Sequence, residues 1–358
     1  MFLRKDPIIS LLYGSLVRLP TPLNISFFWN FGSLVGFFMS LQIVTGFFLS
    51  MHYCSSIYFS FDSISHINSD VNYGWMMRYM HINGASFFMM MIYCHIARGL
   101  YYKRYSKKNP WFCGVLMLFF SMMIAFLGYV LPWGQMSFWG ATVITNMVSA
   151  IPLVGKKMTF WLWGGYSVGQ PTLFRFFSFH FFFPFLLVFL SFFHIYFIHS
   201  SGGSGTPLGF FSSMKVSFWP FFGFKDLMGA AGIFFFFFSF FFFTDLFTEP
   251  DNYMKANSMV TPQHIKPEWY FLFAYAILRC IPNKLLGVIS LFLSIFVFFF
   301  LPFSQSVFQK SFYHQTLFWF WAFNFFFLTW LGGLPVKTFF IFFSQIFSFF
   351  YFFFFFIF

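Results

Sequence analysis

The chain has 358 residues, of which 59% are hydrophobic and only 8% are charged. This composition excludes a soluble globular protein and indicates a polytopic membrane protein. Because such a chain has no soluble basic patch, its formal net charge of +12 indicates loop cations that meet lipid headgroups and partner proteins, and it excludes a nucleic-acid-binding function.

The first 26 residues have mixed polarity and are expected to form an interfacial segment. The apolar stretches that follow are long enough to cross a bilayer as helices, and helices are required because unpaired backbone groups cannot face lipid. We therefore predict an all-α polytopic membrane protein with eight transmembrane helices, at about residues 27–50, 75–102, 111–131, 174–200, 227–247, 285–303, 317–334 and 338–358.

Two predicted spans each carry a pair of histidines at the same spacing. His81 and His95 lie in the second span and His180 and His194 in the fourth, and fourteen residues separate the members of each pair. Fourteen residues correspond to about 21 Å of helix and nearly the same helix face. Adjacent helices in register would thus bring His81 opposite His180 and His95 opposite His194. Each pair can hold a flat cofactor, and a bis-histidine haem is the main candidate; structural histidines, a metal site or a proton path are the alternatives.

Glycines recur at the same interval in two other spans. Gly32 and Gly46 lie in the first span, and Gly114 and Gly128 lie in the third. Glycine allows a large flat group to approach the backbone, although small residues also favour simple helix–helix packing. The pattern predicts a four-helix haem-binding bundle in the N-terminal half. The four cysteines form no CxxC or CxxCH pattern, which argues against a thioether-attached haem or a cysteine-ligated cluster.

Five stretches between residues 29 and 284 are distinctive enough to compare with known families: WNFGSLVG (29–36), VNYGWMMRYMHINGAS (71–86), GYVLPWGQMSFWGATVIT (128–145), PDNY (250–253) and PEWYFLFAYAILRCIPNK (267–284). Together they resemble mitochondrial cytochrome b, the quinone-reacting subunit of ubiquinol–cytochrome c reductase (the bc1 complex, complex III). The 75 phenylalanines are typical of a T-rich organelle genome, so mitochondrial encoding is our hypothesis from composition.

The densest basic cluster joins the second and third spans and consists of Lys103, Arg104, Lys107 and Lys108. It is expected to face the matrix, which also puts the N-terminus and the His95/His194 pair near that side. The loops 132–173 and 248–284 then fall on the intermembrane side. Because both contain apolar helical pattern, we expect them to cap a site.

Haem propionates need cationic partners, and two arginines lie one helical turn from the histidines. The resemblance implies that Arg78 serves the intermembrane-side haem and Arg98 the matrix-side haem; for Arg98, snorkelling to the interface is the alternative. The resemblance also implies that Trp29, Asn30 and Ser33 lie near the matrix-side haem and Arg175 near the other.

Quinol oxidation needs a base, and the chain has only two glutamates, Glu249 and Glu268. Glu268 follows Pro267 and lies among aromatic residues that include Tyr270, a setting that raises a carboxyl pKa and suits proton transfer. The alternative is a helix N-terminal glutamate favoured by the helix dipole. By resemblance, the other residues around the quinol pocket are Phe126, Tyr129, Gly140 and Tyr275.

Quinone reduction on the matrix side needs proton donors. His199 follows His194 by five residues, and Asp226 follows Lys225 at the predicted start of the fifth span. The resemblance implies that His199 and Asp226 contact quinone, while a helix cap is the alternative for Asp226. The adjoining loop departs from the family because it lacks the usual glutamate after the histidine, and Ser204 is a candidate without an assigned role.

The function implied by the resemblance is the Q cycle: ubiquinol oxidation on the intermembrane side, electron transfer through two b haems, and quinone reduction on the matrix side. It implies a multi-pass protein of the mitochondrial inner membrane with a homodimeric complex, cardiolipin, a Rieske iron–sulfur protein, cytochrome c1 and other complex III subunits as partners. The predicted domains are 1–205 and 206–358. The alternative of another class is a transporter or channel subunit with structural histidines.

Overall fold

The computed structural model describes residues 6–200, 214–304 and 312–358. Ser204 and the predicted domain boundary at 205/206 therefore lie outside the described residues. The described α-helices are α1 (Pro7–Leu12), α2 (Phe31–Ser50), α3 (Ser60–Ser69), α4 (Gly74–Tyr101), α5 (Lys108–Val130), α6 (Gln135–Asn146), α7 (Gly155–Trp163), α8 (Gln170–Ser200), α9 (Phe221–Ser239), α10 (Leu272–Cys280), α11 (Lys284–Phe296), α12 (Phe312–Gly333) and α13 (Thr338–Ile357). One short antiparallel pair joins β1 (Pro20–Pro22) to β2 (Lys215–Ser217).

Seven of the helical segments described are long and apolar enough to cross a membrane: Phe27–Ser50, Lys108–Val130, Gln170–Ser200, Phe221–Phe242, Lys284–Phe303, Phe312–Gly333 and Thr338–Ile357. The remaining predicted span, at about 75–102, corresponds to α4, which has 28 residues. Its mean hydropathy is lower because it contains two histidines, two arginines and Asn83. The prediction of an all-α polytopic membrane protein is confirmed.

The fifth span differs from its prediction at its first residue. It begins at Phe221, whereas the sequence placed its start near residue 227. Asp226 therefore lies inside α9 and is not a helix cap. The segment Phe218–Phe224 carries no Ser, Thr, Asp or Asn to mark a helix start, which explains why no earlier boundary was predicted.

Two helix pairs build the N-terminal bundle: α2 packs along α4, and α5 packs along α8. The C-terminal helices α10 to α13 pack together around a second core, which continues onto α4 through Met89 and Ile92. The helices α6 and α7 fold back over one end of the bundle, with Trp163 of α7 buried. The loop 132–173 therefore contains helices of its own and packs against the bundle, and its role in capping a site stays a prediction.

Candidate functional site

The four histidines meet in two pairs, each with one ring from α4 and one from α8. The ring centroids are 6.1 Å apart for His81 and His180 and also 6.1 Å apart for His95 and His194. A bond from a metal ion to an imidazole nitrogen is about 2 Å long, and with a ring half-width of about 1 Å on each side the sum is about 6 Å. Each gap therefore has the width that one metal ion with two axial imidazoles needs.

A metal ion in either gap would require further ligands from a bound group. Among the residues that the structure describes, no three His, Cys, Asp or Glu side chains converge into a protein-only metal site. A haem supplies its own equatorial nitrogens and needs only axial ligands from the protein. Each gap offers two histidines and no further protein ligand among the described residues, which matches what a haem needs from a protein.

In the His81/His180 pair, the Nδ1 nitrogen of each ring has a hydrogen-bond partner. His180 Nδ1 lies 2.9 Å from the Ile124 carbonyl oxygen and donates to it. His81 Nδ1 lies 2.9 Å from Thr45 Oγ1, and this hydroxyl donates to the Leu41 carbonyl oxygen at 2.7 Å, so it accepts from His81. Both contacts put the proton on Nδ1 and leave Nε2 for a metal, as is usual for metal-ligating histidines.

The His95/His194 pair has a cation beside it. The Arg98 guanidinium donates through Nη2 to His95 Nδ1 at 3.4 Å and lies 5.3 Å from the ring centre of Trp29. Arg98 Nε and His194 Nδ1 are buried without hydrogen-bond partners among the described residues. A buried arginine with an unused N–H suits an anionic group nearby, such as a carboxylate of a bound cofactor.

Each of the four evenly spaced glycines faces one of these histidines. A methyl group added at Gly32 would come 3.5 Å from His95 Cε1, at Gly46 3.0 Å from His81 Cε1, at Gly114 3.2 Å from His194 Cε1, and at Gly128 3.0 Å from His180 Nε2. The sequence interpretation was that the glycines make room for a flat cofactor. The structure shows that the nearest groups are the imidazole rings themselves.

Glu268 lies in the loop before α10. It directly precedes the short 3-10 turn Trp269–Phe271, which is the position that the helix-dipole alternative requires, and its side chain makes no capping hydrogen bond. Burial, with a smaller contribution from the negative charge of Glu249, raises the pKa of Glu268 to about 8. Glu249 itself is paired with Lys266, with 2.9 Å between Nζ and Oε1.

Several of the residues predicted to surround the quinol pocket come together near Glu268. The Tyr129 hydroxyl is buried without a hydrogen-bond partner in the described chain and interacts electrostatically with Glu268. The Tyr275 hydroxyl donates to the carbonyl oxygen of Ile265 at 3.0 Å, close in sequence to Pro267. The Tyr129 phenol therefore lies close to the Glu268 carboxyl group, and Tyr275 contacts the segment that leads to it.

Gly140 lies on α6, and no atom lies within 4 Å of the position that its added methyl group would occupy. The space beside it is thus open, and its place in the quinol pocket stays a prediction. Phe126 contacts Phe176 with ring centres 6.0 Å apart. The Tyr270 ring is buried in the core beside Phe271, with its carbonyl oxygen 2.5 Å from the Tyr93 hydroxyl.

The two arginines predicted for the intermembrane-side haem have different surroundings. Arg78 interacts electrostatically with Tyr253 and Asp245. Arg175 donates to the carbonyl oxygens of Trp161 and Leu162, at the C-terminal end of α7. Arg175 therefore fixes α7 to α8 in the described structure.

The residues predicted for matrix-side quinone lie near the His95/His194 pair. Asp226 of α9 lies near Ser33 of α2, whose hydroxyl donates to the Asn30 carbonyl oxygen at 2.9 Å. Ser33 follows Gly32, which faces His95. Asn30 is buried and donates through Nδ2 to the Lys225 carbonyl oxygen at 2.9 Å. His199 lies on α8, at the end that carries His194.

Three residues with clear structural roles were missed by the sequence interpretation. Thr45 directly precedes Gly46, and a hydroxyl in an apolar span next to a ligand-facing glycine was the available signal. Asn252 of the PDNY motif accepts from Ser137 N and Ser137 Oγ, both at 2.9 Å, and so joins the two loops. Arg279 lies 4.7 Å from the Tyr275 ring centre and donates to two carbonyls at the end of α12, which no sequence pattern indicated.

Comparison with known proteins gives matches over both halves of the chain. Residues 16–202 match the family Cytochrome b/b6/petB, and residues 255–352 match the family Cytochrome b(C-terminal)/b6/petD. A solved structure described as "Hyperthermophilic respiratory Complex III" contains a similar chain with 30% sequence identity and a TM-score of 0.91, and the match covers 99% of this chain and 96% of that chain. With its paired histidines, the chain belongs to the cytochrome b family, whose members bind b-type haem as membrane subunits of quinol oxidoreductase complexes.

Proposed function

We propose that the chain is the di-haem, quinone-reacting subunit of a ubiquinol–cytochrome c reductase. The observation that carries this proposal is the pair of equal 6.1 Å gaps between histidine rings in a member of the cytochrome b family. A transporter or channel subunit with structural histidines would not need both ring pairs to be spaced at the distance that suits one metal ion between two imidazoles. The histidine geometry thus supports redox chemistry over a structural role.

Each gap takes one haem in this proposal. His81 and His180 hold the intermembrane-side haem, and His95 and His194 hold the matrix-side haem. Thr45 and the Ile124 carbonyl keep the Nδ1 protons of the first pair in place, so that Nε2 faces the iron. Arg98 binds a propionate of the second haem. When bound, the haems supply one-electron carriers in series between the two sides of the membrane.

Glu268 is the proposed proton acceptor for ubiquinol on the intermembrane side. Since burial raises its pKa to about 8, the carboxylate is a base of suitable strength near neutral pH. In this proposal the Tyr129 and Tyr275 rings border the quinol ring, and the space that no atom fills beside Gly140 leaves room for that ring against α6. A Rieske iron–sulfur protein would take one electron of ubiquinol, and the haems, when bound, would take the other.

On the matrix side, Asp226 and His199 are the proposed proton donors to quinone. Asp226 lies near Ser33, the residue after Gly32, which faces His95. A quinone beside Asp226 would therefore lie a short distance from the matrix-side haem site. Proton release on one side and uptake on the other contribute to the proton gradient.

We infer a mitochondrial inner-membrane location from the phenylalanine-rich composition and from the motif resemblance. The basic segment 103–108 supports an orientation with the N-terminus in the matrix. Cytochrome c1, other complex III subunits, a second copy of the chain and cardiolipin are the proposed partners. The separation between the two family matches, at residues 202 and 255, supports a division into domains 1–205 and 206–358.

The test compares Glu268→Gln with the matched control Glu249→Gln in the purified complex, by following haem b reduction after mixing with decylubiquinol. In the unmodified complex the rate should rise with pH through about 8, because the carboxylate form increases as the pH passes the pKa of Glu268. Glu268→Gln should slow the reaction several-fold and remove this pH dependence, with normal haem spectra. Glu249→Gln should keep a rate that rises with pH, with its midpoint moved to lower pH because the charge of Glu249 no longer raises the pKa of Glu268. An unchanged rate and pH profile in Glu268→Gln would refute the role as base.

A further inference from the structure

Arg279 joins the helix that carries Tyr275 to the end of a distant helix. Its guanidinium donates through Nη2 to the Leu331 carbonyl oxygen at 2.9 Å and through Nη1 to the Leu334 carbonyl oxygen at 3.0 Å. Carbonyl groups in the last turn of a helix lack the usual partner four residues further on, and α12 ends at Gly333. Arg279 therefore binds the end of α12 with both arms of its planar fork.

The same guanidinium lies over the ring of Tyr275. Its carbon Cζ is 4.7 Å from the ring centre, which is within the range of a cation–π contact. The two residues are four positions apart on α10, and side chains at this spacing lie on the same face of a helix. No carboxylate among the described residues forms an ion pair with Arg279, so carbonyl oxygens and the tyrosine ring stabilise its charge.

The hydroxyl group of Tyr275 is held by a separate contact. It donates to the Ile265 carbonyl oxygen at 3.0 Å, in the segment that leads to Glu268. A hydrogen bond at the hydroxyl alone leaves the ring free to turn about its long axis, whereas a cation over one face opposes that rotation. Arg279 therefore restrains the plane of the Tyr275 ring.

We propose that Arg279 is a positioning residue for ubiquinol, because it fixes the plane of the Tyr275 ring and ties that ring to the end of α12. The inference rests on the proposed function, in which Tyr275 borders the quinol ring. Since Arg279 acts through Tyr275, its loss should weaken quinol binding more than it slows the chemistry that follows. The quinol pocket thus depends on a contact between the segment after Glu268 and the C-terminal helices.

A double-mutant cycle in the purified complex tests the proposal, with the KM and kcat for decylubiquinol as the readout. Arg279→Gln and Tyr275→Leu should each raise KM by roughly two- to tenfold, with a smaller change in kcat. Together they should raise KM no further than Tyr275→Leu alone, because Arg279 then has no ring to position.

Gln345→Leu is the matched control. Gln345 of α13 donates to the Cys280 carbonyl oxygen at 2.9 Å, so its replacement also breaks a hydrogen bond at the C-terminal end of α10, but one that does not involve Tyr275. It should leave KM unchanged. Arg279→Lys keeps the charge without the planar fork and should raise KM by a smaller factor than Arg279→Gln; it replaces Arg279→Gln in the cycle if that variant does not assemble.

The proposal is overturned if the Arg279 variant leaves KM unchanged, or if its effect on log KM adds to that of Tyr275→Leu. It is also overturned if Gln345→Leu raises KM as much as the Arg279 variant does. Each of these results leaves the role of Glu268 as base intact. An unchanged KM in Tyr275→Leu would remove Tyr275 from the quinol pocket and overturn this inference as well, while the pH profile of Glu268→Gln tests the base separately.

Discussion

Replacing Gly128 by alanine should displace the intermembrane-side haem ligand His180. The added methyl group would lie 2.9 Å from His180 Nδ1 and 3.0 Å from its Nε2, with Cε1 nearer still. Overpacking of this kind costs about 1–3 kcal/mol. The imidazole cannot move aside freely, because its Nδ1–H donates to the Ile124 carbonyl, and breaking that bond costs about 0.5–1.5 kcal/mol.

The gain in helix propensity from glycine to alanine, about 1 kcal/mol, offsets part of this cost. A net loss of about 1–3 kcal/mol in haem-binding free energy remains, which corresponds to roughly a 5- to 150-fold weaker affinity for the haem. Gly32→Ala is the matched control, since its methyl group would lie 3.5 Å from His95 Cε1, at ordinary van der Waals distance.

The assay is the haem b content of the purified complex, from reduced-minus-oxidised spectra and a pyridine haemochrome determination. Gly128→Ala should lose the haem of the His81/His180 pair in part or completely, while Gly32→Ala keeps both haems. Equal haem content in the two variants, or loss in Gly32→Ala alone, would refute the assignment of these glycines to the histidine rings.

Three further expectations follow from the structure. Thr45→Val removes the acceptor of the His81 Nδ1–H and should raise the midpoint potential of one haem, because the imidazole becomes a weaker electron donor; a redox titration with two unchanged potentials would contradict this. Gly140→Ala fills open space beside α6 and should weaken bulky inhibitors of quinol oxidation without affecting matrix-side inhibitors, and inhibitor titrations that show the reverse pattern would remove Gly140 from the pocket. A membrane-impermeant amine label should reach Lys107 from the matrix side alone, and labelling from the intermembrane side would exchange the two quinone sites.

The sequence predicted the histidine pairs because helix geometry converts spacing directly into position. Two helices with ligands fourteen residues apart need only lie side by side for His81 to meet His180 and for His95 to meet His194. The positions of the four glycines opposite the histidines could be predicted from the same periodicity. The reason for the glycines could not be predicted, because a one-dimensional pattern cannot distinguish room for a flat cofactor from room for the imidazole that ligates it.

Features that depend on contacts between distant segments could not be predicted. The hydrogen bond from His81 to Thr45 joins two helices, and the contacts of Arg279 with Tyr275 and α12 require the C-terminal fold. The true start of α9 at Phe221 was missed because the phenylalanine-rich sequence around it lacks a capping residue. The open space beside Gly140 depends on how α6 folds back over the bundle, which no local pattern encodes.

The central claim is that each haem is held by one histidine of α4 and one of α8. The most direct measurement is the redox-resolved optical spectrum of four complexes, each with one of the histidines replaced by alanine. The account predicts two low-spin b haems in the unmodified complex, loss of one and the same component in His95→Ala and His194→Ala, and loss of the other in His81→Ala and His180→Ala. Two intact b haems in His95→Ala, or loss of the same component in His95→Ala and His180→Ala, would contradict it.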